Sequence, residues 1–116
     1  MAIPHAQPGE VIDVRPLGMQ LKDCQTSTLI KTDTLEVIRL VLDRGKEIAE
    51  HRAPGRITVQ CLEGNVAFTA LDKTVFLEAG SLLYLDARQP HSLRAEESSS
   101  LLLTVLLPRS RDALEH

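Results

Sequence analysis

The chain has 116 residues, of which 43% are hydrophobic, 25% charged and only 3% aromatic, with a formal net charge of -3. That length is expected of one domain, and the balance of apolar and charged residues excludes a disordered chain. There is no basic run, and Phe68, Phe76 and Tyr84 are the whole aromatic set, which excludes nucleic acid as the main partner.

Residues 1–10 carry Pro4, Pro8 and Gly9 and read as a loose arm. Residues 11–14 suit a short strand, broken by Pro16 and Gly18, and residues 19–23 suit one helical turn at most. Residues 25–32 are rich in Thr, Ser, Leu and Ile, as strands are. From residue 35 onward a regular march of short strands is predicted. They cover 35–42, 56–62, 66–71, 74–77, 81–85, 91–95 and 100–107, with turn signals at Gly45, Pro54-Gly55, Gly64, Asp72-Lys73 and Gly80. Turns recur about every ten residues and no long segment has a 3.6-residue period, which points to an all-β sandwich or barrel. The predicted division is 1–33 as arm and leading strands, 34–108 as the barrel of about ten strands, and 109–116 as a tail. Within that tail, 109–114 suits a helix, and Leu114-Glu115-His116 reads as the start of a histidine tag.

No apolar stretch approaches the roughly 20 residues of a bilayer span; the densest run, 101–107, is strand-sized. The N-terminus has no charged segment followed by an apolar one, so neither a signal peptide nor a membrane partner is expected. Cys24 and Cys61 form no CxxC pair, and two reduced thiols in a cytoplasmic protein is the expectation. The 101–107 strand is apolar on both faces. One face fills the barrel and the other needs cover, which predicts a homodimer.

Histidine carries the chemistry. His51 and His91 each sit beside a proline-containing turn at a predicted strand edge. Cys61 and, by strand parity, Glu47 are further groups that could turn inward with them, unless a bulge alters the parity. Ser98-Ser99-Ser100 reads as a solvated hairpin turn, and Ser81, Asp86 and His91 could be drawn as a hydrolase trio, though no nucleophile elbow surrounds Ser81. Arg52, Arg56, Arg88 and Arg94 flank the histidines. They read as solvated strand-edge charges, or as one guanidinium at a cavity mouth for a carboxylate or phosphate.

The segment GKEIAEHRAPGRITVQCLEG, from Gly45 to Gly64, resembles the first motif of the cupins, and GSLLYLDARQPHSLRA, from Gly80, resembles the second. The match rests on Gly45, His51, Gly64, Gly80 and His91 at the motif spacings. The resemblance implies a double-stranded β-helix, or jelly-roll barrel, and a divalent metal (zinc, iron, manganese or nickel) held by three histidines and a glutamate. His51 and His91 occupy two of those positions; Ala53 and Ile57 stand at the other two, and Asp86, Arg88 and Ala95 replace the Pro, Gly and Asn of the second motif. Two readings follow. The first is a binding barrel that holds a small molecule, such as a carboxylate, near His51, His91 and Cys61. The second is a metal-dependent enzyme of dioxygenase or isomerase type with an incomplete ligand set.

Overall fold

The computed structural model describes residues 5–108. The expected tail helix at 109–114 and the tag at 114–116 lie outside the described residues. A short 3-10 helix, Gly18–Asp23, is followed by nine strands: β1 Ser27–Lys31, β2 Leu35–Leu42, β3 Glu47–His51, β4 Ile57–Glu63, β5 Asn65–Ala70, β6 Lys73–Glu78, β7 Leu82–Leu85, β8 His91–Ala95 and β9 Ser99–Leu106. β2 and β8 match the predicted bounds, and most of the others differ by a residue or so at an end.

The strands form two antiparallel sheets, ordered β1-β2-β9-β4-β7 and β3-β8-β5-β6. Alternation decides which side chains meet between them. Ile57, Val59 and Cys61 of β4 point inward with Leu101 and Val105 of β9, facing Val66, Phe68, Leu77 and Leu93 of the other sheet. The core is aliphatic around one aromatic ring, as the composition requires. The β4–β5 hairpin turns at Gly64, whose φ of 93° is left-handed backbone open to glycine. A Cβ there would lie 2.1 Å from Ser99 Oγ.

Three expectations change. Residues 11–14 form no strand and Val11 is exposed, because no other segment pairs with them. Glu47–His51 does form one, although its sequence has little alternation, because β8 supplies a ladder partner. Ser99 and Ser100 are buried rather than solvated: Ser99 Oγ accepts from Asn65 N (3.0 Å) and donates to Glu97 O (2.7 Å), and Ser100 Oγ donates to Glu63 Oε2 (2.6 Å).

Glu63 also anchors the arm. Its carboxylate accepts from the backbone N–H groups of Leu17 (2.8 Å) and Gly18 (3.0 Å). Burial alone would raise its pKa; donation from Leu17, Ser100 and Gly18 and the nearby charge of Arg39 bring it net below the usual value. Among the described residues no helix is long and apolar enough to cross a membrane. Cys24 and Cys61 are both free thiols.

Candidate functional site

Two loops and two strand ends build one mouth of the barrel. His51 closes β3, His91 opens β8, and the two are direct partners across the ladder. A bulge between Ile48 and His51 sets this pairing. Arg88 N donates to Ala53 O (2.9 Å), and Arg56 Nε donates to Asp86 Oδ1 (3.1 Å), so the loops preceding β4 and β8 are tied together.

The imidazole centroids are 4.2 Å apart, edge to face at 63°. His91 is 6% exposed and stacks on Phe68, with centroids 5.6 Å apart and planes within 10°. His51 is exposed. One ring therefore faces the core and the other faces solvent. Each Nδ1 lies 3.0 Å from a backbone carbonyl two residues earlier, Ala49 O for His51 and Gln89 O for His91. A carbonyl only accepts, so each Nδ1 donates. In the neutral ring, Nε2 keeps a lone pair for an outside partner. Burial lowers the His91 pKa, the Gln89 carbonyl opposes this, and His51 lowers it further. His91 is thus a neutral acceptor at pH 7.

The other expected members are elsewhere. Cys61 does point inward, but it pairs with Leu101 at the far end of β4, four residues or about 13 Å of strand from Ile57. Its thiol donates toward Glu63 O (3.4 Å) and Gly64 O (3.9 Å), and burial raises its pKa, so it stays a protonated core group. Glu47 pairs with Arg94 and lines a groove on the outer sheet face, because the bulge breaks the parity that would have aligned it with His51. Asp86 holds Arg56 rather than His91, so the Ser81, Asp86 and His91 trio does not form. Arg39, Glu63 and Ser100, one from each of three strands, make a polar cluster, with Arg39 and Ser100 buried and Glu63 partly so, that the sequence did not reveal. A charged residue amid the apolar β2 run was the available signal.

The profile of the cupin domain matches residues 38–107, taking in both histidine motifs and the strands that carry them. The chain belongs to the cupin family. No curated protein matches it. Solved structures agree with the fold. The conserved SPY1581 protein of unknown function from Streptococcus pyogenes is 27% identical, with a TM-score of 0.72 over 94% of this chain and 96% of that one. A cupin superfamily protein, DSY2733 of Desulfitobacterium hafniense DCB-2, is 17% identical, with a TM-score of 0.73 over 89% and 100%. Salicylate 1,2-dioxygenase from Pseudaminobacter salicylatoxidans is 27% identical, with a TM-score of 0.64 over 77% of this chain and 25% of that one.

This cupin does not present the family's metal-ligand set. Ile57 is 2% exposed and packed in the core where the resemblance puts a carboxylate, and Ala53 packs against the same cluster. Among the described residues no three His, Cys, Asp or Glu side chains come together to hold an ion. Catalytic zinc takes three protein ligands, and non-haem iron two histidines and a carboxylate. Two imidazoles fall short of both.

Proposed function

We propose that this cupin binds a small carboxylate at the barrel mouth, without turnover. A mouth guanidinium donates to the carboxylate, and the Nε2 lone pairs of His51 and His91 accept from a hydroxyl on the same molecule. The observation that carries the reading is the imidazole pair at 4.2 Å, with each Nδ1 tied to the chain's own backbone and each Nε2 left over. Charge supports it: the two mouth loops carry Arg52, Arg56 and Arg88 against Asp86, and a guanidinium fork matches a carboxylate. Salicylate, named in one structural relative, is itself an aromatic carboxylate.

The second reading, a metal-dependent enzyme of dioxygenase or isomerase type, has one observation in its favour. Metal-ligating histidines usually donate their other ring N–H to a carbonyl or carboxylate, as both rings do here. Thermal shift with salicylate, which carries a hydroxyl beside its carboxylate, and elemental analysis of the tag-free protein separate the two. Stabilisation by salicylate that is lost in His51→Ala, with no stoichiometric metal, supports binding. One equivalent of zinc, iron, manganese or nickel, lost in His51→Ala, overturns it in favour of the enzyme.

We also propose that the protein is a cytoplasmic homodimer. Leu82 and Tyr84, 64% and 63% exposed, stand on the outer face of the five-stranded sheet beside Leu102, and a second copy would cover them. Sedimentation showing only monomer at micromolar concentration, for protein and for Tyr84→Asp alike, refutes the dimer.

A further inference from the structure

Arg39 stands on the outer face of β2, opposite Ser27 of β1, and is only 7% exposed. Its hydrogen bonds among the described residues all come from Nη2, to the Arg15 carbonyl and, at 3.5 Å, to Ser100 Oγ. Glu63 Oε2 is 3.8 Å from Nη2. That carboxylate is already engaged by Leu17 N, Gly18 N and Ser100 Oγ. Arg39 Nε is buried with no acceptor among the described residues. A buried guanidinium donor without an acceptor is costly, more so than a neutral one.

Beside it lies a cleft of about 690 Å³ between the N-terminal arm and the β1–β2 hairpin. Arg39 lines this cleft, with Leu17, Leu29 and Val41 as apolar wall and His5 and Thr28 as polar groups. The size falls within the range of small-molecule sites. Neither His51 nor His91 lines it.

We infer that this cleft is a second ligand site, separate from the barrel mouth, which takes an amphipathic carboxylate with its head on Arg39 and its apolar body along Leu17, Leu29 and Val41. Nη1, which makes no hydrogen bond among the described residues and is not shut off from solvent as Nε is, donates to the carboxylate. Asp23 is the acidic side chain lining the cleft, and it is exposed. Glu63 and Asp13, the other nearby carboxylates, are occupied by their own donors, Asp13 by the Arg15 guanidinium. A bare inorganic anion would leave the apolar wall unused, so octanoate should bind more tightly than inorganic phosphate.

The test is isothermal titration of the whole chain with octanoate, and with inorganic phosphate as the comparison. Four proteins are compared: the unmodified chain, Arg39→Lys, Ser27→Trp and His51→Ala. Ser27→Trp fills the cleft from β1 and leaves Arg39 in place, so it keeps the test decisive if Arg39→Lys folds poorly; circular dichroism checks each fold. Octanoate affinity should fall at least tenfold in Arg39→Lys and in Ser27→Trp, and stay within twofold in His51→Ala. Three results overturn the inference: no octanoate binding by the unmodified chain, affinity unchanged in folded Ser27→Trp, or affinity lost only in His51→Ala. The last would place the carboxylate at the barrel mouth and leave that proposal standing.

Discussion

Restoring the two missing donors tests whether His51 and His91 occupy ligand positions at all. The double variant Ala53→His, Ile57→Glu rebuilds the set that the family motif implies. Its cost without metal follows from the packing. Ile57 is 2% exposed between Leu85 and Val105, so losing its burial removes about 1.5–3 kcal/mol. A carboxyl without a partner in the same place costs about 1–3 kcal/mol more. Ala53 is half-buried and adds little. The metal-free variant is therefore destabilised by about 2.5–6 kcal/mol, a fall in Tm on the order of 10–25 °C. Zinc at a hundred times its Kd returns about 2.7 kcal/mol. The assay is thermal unfolding with and without zinc, paired with elemental analysis. The double variant should recover roughly half of its lost Tm and retain one zinc, and a third change, His51→Ala, should abolish both. If the folded double variant takes up no metal, the two imidazoles do not point where the motif requires, and the mouth geometry argued above is wrong.

Acid should destabilise the protein in two stages. His91 resists protonation when folded, so below its ordinary value of 6.5 the unfolded chain binds more protons and stability drops as pH falls. The ceiling is about 1.4 kcal/mol per pH unit, reduced by solvent at the mouth. The Glu63 pKa is lowered from 4.5, so its contribution is present above that value and is lost as pH falls through its folded pKa. Urea unfolding from pH 8 to 4 should show both declines, and His91→Gln should remove the first only; a flat profile above pH 5 refutes the His91 argument. Gly64→Ala should cost about 2–5 kcal/mol, since its Cβ meets Ser99 Oγ at 2.1 Å and Ser98 O at 2.5 Å on left-handed backbone. Gly45→Ala, with φ 88° but open space around it, should cost about 1–2 kcal/mol. Equal losses in denaturant titrations of the two would sink the contact argument.

Much of the fold was legible because it is written locally. The alternation in β4 and the turn signals at Gly64 and Gly80 place most strands to within a residue or so at each end. The predicted strand 91–95 put His91 at its first residue, where β8 begins. β3 was not legible, because EIAEH carries little pattern of its own and becomes a strand only through β8. Nor was the burial of Ser99 and Ser100, each of whose hydroxyls also bonds a residue more than thirty positions away.

The amino-acid order by itself determined an all-β chain and an aliphatic core, since strand period and composition need no partner to be read, and its resemblance to the cupin motifs implied a ligand set short of two donors. Tertiary structure alone decided that His51 meets His91 while Cys61 sits at the opposite end and Glu47 faces out. It alone gathered Arg39, Glu63 and Ser100 from three strands. Those outcomes depend on which strands pair and on a one-residue bulge, and a single extra residue reverses every side chain beyond it.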